Sequence, residues 1–241
     1  MAGHSKWANI KHRKEKSDSK RGKIFSKLGR EIAIAVKQGG SDPESNGKLR
    51  DVIAKAKAEN MPNDNIMRSI KKAAGDMDGA NYEEITYEGY GPGGVALIVE
   101  ATTENRNRTA GDIRHFFDKY GGNLGTTGCV SFLFNSKGII IISKDTVPDP
   151  DVMMLDAIEA GAEDVEELEE IFEIATVPED FSNVREQLEK RGYTFISANI
   201  EKVPMTTTSL TDEKHILSLE KLIDNLEDHD DVQNVFHNFV N

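Results

Sequence analysis

Cysteine is almost missing from this chain: Cys129 is the single one among 241 residues. That excludes a disulfide framework and a cysteine-rich zinc site, and it fits a reducing compartment, so a cytoplasmic protein is expected. Long apolar runs are missing as well. The longest, VALIV (95–99) and GIIIIS (138–143), fall far short of the roughly 20 residues that span a bilayer, so no membrane partner is expected. The first residues have no apolar stretch behind their cations and include acids, so they read as neither a secretory signal nor a transit peptide.

Recognisable reaction chemistry is also absent. No Ser, Cys or His stands in a nucleophile motif, and Cys129, at an expected strand start, reads as a small buried residue. GYGPGG (89–94) lacks the GK[ST] ending of a phosphate loop and leads into a strand, which makes it a hairpin turn and implies no nucleotide. His4 and His12 have no cysteine partners nearby and read as polar side chains, so no metal is expected. The sequence therefore reads as non-enzymatic, with no cofactor and no small-molecule substrate.

What the chain has in abundance is charge, unevenly distributed. Its formal net charge is -12, yet residues 1–75 carry 18 Lys and Arg against 8 Asp and Glu, and residues 76–241 carry 12 against 34. The two parts are therefore +10 and -22. The positive end is densest in GHSKWANIKHRKEKSDSKRGK (3–23), where eight cations face Glu15 and Asp18. Lysines and arginines in such an arm displace counterions from phosphates, and Trp7 offers a ring that stacks on an unpaired base for roughly 1–3 kcal/mol. Extended, 23 residues reach roughly 75 Å, enough to enter a groove far from the folded body. The candidate nucleic-acid contacts are Lys6, Trp7, Lys11, His12, Arg13, Lys14, Lys20, Arg21, Lys23, Lys27 and Arg30. Arg106, Arg108 and Arg114 are a secondary group at or near the start of a helix, where backbone N–H groups attract anions.

Periodicity organises the rest. Ile24, Leu28, Ile32 and Val36 recur at helical spacing until Gly39-Gly40; Leu49, Val52, Ile53 and Ala56 follow in a stretch opened by Asp42-Pro43; Ile66, Ile70 and Ala74 follow Asn63. Three helices over about 22–75 predict a small bundle with cations on its surface. After the turn-rich GDMDGAN (75–81) the order becomes strand (85–90), turn, strand (95–103), helix (109–120), a Gly/Thr turn GGNLGTTG (121–128) and strand CVSFLF (129–134). Residues 138–203 then read β-α-β-β-α-β, the split-βαβ or ferredoxin-like pattern, and the tail adds a helix (212–226) and a strand (232–240). The expected fold is α+β: an N-terminal three-helix bundle followed by two ferredoxin-like α+β domains, the third inserted in the second. The expected boundaries are 1–78, then 79–135 with 206–241, and 136–205. The acidic run EDVEELEE (163–170) reads as a solvated strand edge.

GHSKWANIKHRK, DSKRGKIFSKLGREI, GGSDPESN, LRDVIAKAKAENMPNDNI, NYEEITYEGYGPGGVALIVE, NRNRT and GGNLG together resemble the YebC family of bacterial proteins and their mitochondrial translational-activator relatives. The resemblance is dense over residues 3–135 and mainly architectural from Gly138 to Pro204. Cys129 stands where the family pattern has Ser, and Glu104 where it has Asp. The resemblance implies a three-helix domain followed by two α+β domains, and two roles: a DNA-binding transcriptional regulator, or a ribosome-associated, ribosomal-RNA-binding translation factor that relieves stalling at proline-rich stretches. A reading of another class is a protein-interaction adaptor that uses the acidic domains.

Overall fold

The computed structural model describes residues 21–75 and 81–240. Three helices come first, α1 (Arg21–Gly39), α2 (Gly47–Ala58) and α3 (Asn63–Gly75). The elements that follow are β1 (Glu83–Tyr90), β2 (Ala96–Thr103), α4 (Arg106–Lys119), β3 (Asn123–Leu124) and β4 (Phe134–Ser143). Then come α5 (Pro150–Ala160), β5 (Asp164–Glu167), β6 (Ile171–Thr176), α6 (Phe181–Lys190) and β7 (Ser197–Pro204). The chain closes with β8 (Thr208–Ser209), α7 (Glu213–Asp228), β9 (Val232–His237) and β10 (Phe239–Val240).

The helical bundle is held by the stripes that the periodicity marks. Leu28, Ile32, Val36, Leu49, Val52, Ala56, Ile66 and Ile70 form one buried cluster, joined by Ala35 and Met61. Two details differ from the sequence reading. Ala73, not Ala74, faces this core, because it lies three residues after Ile70 on the same side of α3. The second helix begins at Gly47 rather than at Asp42-Pro43. The buried Asn46 side chain accepts from Leu49 N at 3.0 Å and donates to Ala35 O and Gly40 O at 2.8 Å, which fixes the helix start there.

Two antiparallel four-stranded sheets form the body. The first has the order β3-β1-β2-β9, so β9 returns from the far end of the chain to pair with β2. α4 and α7 cover one face, packing Ile113, Phe117, Leu219, Leu222 and Leu226 against Leu97 and Val99. The second sheet has the order β5-β6-β4-β7, the strand order of a split βαβ unit, with α5 and α6 on one face. β4 runs without a break from Phe134 to Ser143, across the position at which the sequence reading divides the second and third units.

CVSFLF does not form the expected strand. Ser131–Leu133 make a short 3-10 turn, and the ladder starts only at Phe134. The cause lies in β1. The buried Glu88 carboxylate accepts from the backbone N–H groups of Gly128, Val130 and Ser131 at 2.8–2.9 Å, so these amides are unavailable to a neighbouring strand. Burial pushes the Glu88 carboxyl up, but these three hydrogen bonds outweigh it and hold the group below its ordinary value. The GGNLG segment, read as turning only, contributes β3, which pairs with Gly89 and Tyr90 of β1. The GPGG segment turns β1 into β2 as expected, with Gly93 and Gly94 at φ of 69° and 79°, a region that favours glycine.

Candidate nucleic-acid interface

The end of α7 and the turn after it form the acidic run Glu227-Asp228-His229-Asp230-Asp231. The last carbonyls of a helix lack partners within it and carry its partial negative charge, so this end attracts cations. α1 supplies them. Lys23, Lys27 and Arg30 recur at i, i+4 and i+7, hence on one face. Lys23 Nζ donates to Asp228 O at 3.1 Å, Lys27 Nζ to Glu227 O at 2.7 Å, and Arg30 Nη1 to Asp230 O.

Arg30 Nη1 also lies 3.0 Å from Asp231 Oδ1. The other Asp231 oxygen accepts from Arg108 Nη2 at 2.8 Å, Thr109 Oγ1 at 2.7 Å and Thr103 Oγ1 at 3.2 Å. Two arginines from separate candidate groups thus meet on one carboxylate. Burial pushes the Asp231 carboxyl up, but hydrogen bonds from Arg108 and Thr109 and the charges of Arg108 and Arg30 outweigh it, so the group is held below the ordinary range. His229 joins the turn, its Nδ1 accepting from Asp231 N at 3.1 Å and its Nε2 lying 3.2 Å from Asp112. A polar cleft of about 480 Å³ opens beside these groups, lined among others by Lys23, Arg30, Arg108, Phe116 and Asp231.

A second set of ion pairs joins α2 to α6. The Arg185 guanidinium, only 4% exposed, lies 3.2 Å from Asp51 Oδ1 and 2.9 Å from Glu189 Oε2, and Ser182 Oγ donates to Asp51. Arg50 Nε lies 2.9 Å from Glu186. Lys48 pairs with Glu84 of β1, while Lys55 pairs with Glu31 of α1 inside the bundle. α1 and α2 are therefore bound to the body through their charges.

α3 packs against α1 and α2 and turns its other face outward. That face carries Arg68, Lys71 and Lys72 beside Met67, whose side chain is 63% exposed. Lys57 on α2 is exposed as well. Among the described residues none of these four cations is held in an ion pair. The sequence placed them on the surface without marking them as contacts; the signal available was that Ile66, Ile70 and Ala73 leave 67, 68, 71 and 72 opposite the core.

Of the candidates named from sequence, Lys6, Trp7, Lys11, His12, Arg13, Lys14 and Lys20 lie outside the described residues. Arg21 is exposed at the first residue of α1. Arg106 and Arg114 are exposed on α4, away from the pairing that holds Arg108, and Asn105 caps this helix by accepting from Arg108 N at 3.1 Å. Asp231, the acceptor that organises the α1 contact, was missed. Among the described residues no group of three His, Cys, Asp or Glu is placed to hold a metal, and no helix is long and apolar enough to cross a membrane.

Comparison with known proteins places these features in a family. Residues 5–76 match the TACO1/YebC protein N-terminal domain, and residues 82–239 match the TACO1/YebC second and third domain. A protein of Acetivibrio thermocellus is 69% identical over 239 residues, covering 99% of both chains, and one of Caldicellulosiruptor saccharolyticus is 63% identical over 239 residues, covering 99% of this chain and 98% of its own. Each is named "Probable transcriptional regulatory protein". The crystal structure of a conserved hypothetical protein from Aquifex aeolicus is similar with a TM-score of 0.84 and 50% identity, covering 92% of this chain and 91% of that one.

Proposed function

The chain belongs to the TACO1/YebC family, and from that membership we propose that it is a cytoplasmic regulator of transcription that acts by binding DNA, without a catalytic step. The observation that carries the reading is the outward face of α3, where Arg68, Lys71 and Lys72 stand exposed while α1 and α2 are tied to an acidic body. The relatives' printed names support the regulatory role.

In this reading the primary contacts are Arg68, Lys71 and Lys72 together with Lys6, Trp7, Lys11, His12, Arg13, Lys14, Lys20 and Arg21. Arg106 and Arg114 form a secondary patch. Lys23, Lys27, Arg30 and Arg108 act as positioning residues, holding α1 on the α7–β9 turn so that α3 faces outward. The chain divides into the bundle (1–78), a discontinuous middle unit (79–135 with 206–241) and an inserted unit (136–205). The negative charge of the last two repels phosphates and confines binding to the basic end.

The test is the salt dependence of binding to a 20-base-pair duplex, read by fluorescence anisotropy with the full chain. Replacing Arg68, Lys71 and Lys72 by Ala should reduce the slope of log K against log salt by about 2.7, since each phosphate contact contributes about 0.9. An unchanged slope removes α3 from the interface.

A further inference from the structure

α5 departs from the usual division of a surface helix into apolar and polar sides. Its inner side, Met153, Ala157 and Ala160, is buried in the core of the second sheet. Its outer side carries Val152, Leu155 and Ile158, which are 49%, 61% and 58% exposed and belong to no core cluster. At about 100° per residue these three positions fall within an arc of about 120°. A helix apolar on both sides is ordinarily covered on both sides, and a contiguous apolar stripe with a polar rim marks a binding surface. Folding does not account for the stripe, because Asp149 caps the helix, Pro150 opens it and Gly161 at φ 106° closes it whichever side chains face outward.

The rim is acidic. Asp151 and Glu159 are exposed on the same arc, and β5, an edge strand packed beside α5, adds exposed Asp164, Glu166 and Glu167. Arg191 pairs with Asp156 and Glu159, and Lys144 with Glu167, which leaves the rim net negative. Residues 136–205 hold 17 Asp and Glu against 6 Lys and Arg, a net -11. This charge opposes a nucleic acid and a second copy that would dock through the same face.

We propose that the outer face of α5 docks a cationic amphipathic helix of a partner protein. Its apolar side lies along Val152, Leu155 and Ile158, and its Lys and Arg side chains face Asp151, Glu159 and the β5 edge. An apolar stripe anchors such a helix at i, i+3, i+4 and i+7, while opposite charge on the rim selects it and sets its orientation. The 11 residues of α5 span about 16 Å, room for three such anchors. This surface is independent of the basic end of the chain.

The probe is a fluorescein-labelled 14-residue Leu/Lys amphipathic peptide titrated with the full chain. It should bind, more weakly as salt rises, and the double variant Leu155→Ser, Ile158→Ser should bind at least about tenfold more weakly with an unchanged melting temperature. A Leu/Glu peptide of the same pattern should not bind. Equal affinity of the double variant, or equal binding of the Leu/Glu peptide, would overturn the proposal. So would sedimentation as a dimer that becomes a monomer in the double variant, since a second copy would then cover the face. If that variant melts lower, Asp151→Lys with Glu159→Lys keeps the apolar stripe and should still weaken binding about tenfold; unchanged affinity there sinks the charge argument.

Discussion

Arg30 and Asp231 stand 201 positions apart in the chain, and their side chains meet at 3.0 Å. Asp231 receives two guanidinium groups and two threonine hydroxyls, so one carboxylate ties α1 to α4, to the end of β2 and to the turn before β9. Lys23 and Lys27 reinforce this contact by satisfying carbonyls at the end of α7. The orientation of the basic bundle thus depends on a few polar groups rather than on a shared apolar core.

Asp231→Ala should lower stability by about 1–3 kcal/mol, because it leaves the buried Thr103 hydroxyl without its carboxylate acceptor and takes the ionic partner from Arg30. Urea unfolding measures the loss. Small-angle scattering should show the same variant more extended than the wild type, as α1 separates from the α7–β9 turn. A compact profile with full stability would remove Asp231 from this role.

Stability should also fall in acid with a definite sign. Asp231 and Glu88 are both held below their ordinary values of 3.8 and 4.5, so the stability they supply is fully present above those values and is lost as pH falls through the lower folded-state values. Urea midpoints between pH 7 and pH 3 should therefore decline from about pH 4.5 downward. Glu88→Gln should flatten that decline, and the wild-type and variant curves should converge at the acid end.

The sequence revealed the elements better than their meetings. Ile24, Leu28 and Ile32 repeat at helical spacing, and the alternation from Gly138 to Val203 reads directly as the split βαβ order, because local periodicity encodes both. CVSFLF misleads for a nonlocal reason: its apolar residues suit a strand, but Glu88, some 40 positions earlier, captures its amides. Lys27 and Arg30 look like free surface cations until α7 is brought to them from the other end of the chain. Arg68, Lys71 and Lys72 were legible as surface, but that no acid among the described residues pairs with them emerges only once the body is in place.

Close packing at Gly89 gives a sharp stability test. A Cβ added there would lie 2.6 Å from Asn123 O and 2.8 Å from Phe117 Cε1, where β3 crosses β1 and the α4 side chain fills the space. The Asn123 oxygen is backbone and cannot rotate away. Gly89→Ala should therefore cost about 1–3 kcal/mol in thermal or urea unfolding, and a neutral result would mean that β3 shifts freely.

The arm gives a test of nucleic-acid type. If Trp7 stacks, Trp7→Ala should weaken binding to single-stranded or bulged RNA more than to duplex DNA, as measured by anisotropy at fixed salt. Equal losses would count against stacking. Charge reversal at Lys11, Arg13 and Lys14 should weaken both and flatten their salt dependence.

The most direct measurement is crosslinking of the full chain in cells followed by sequencing of the nucleic acid bound to it, with the Arg68→Ala, Lys71→Ala, Lys72→Ala variant alongside. The account predicts a reproducible set of promoter DNA sites for the wild type and a marked loss of those sites in the variant. Recovery of ribosomal RNA without promoter DNA, or an undiminished set of sites in the variant, would contradict it.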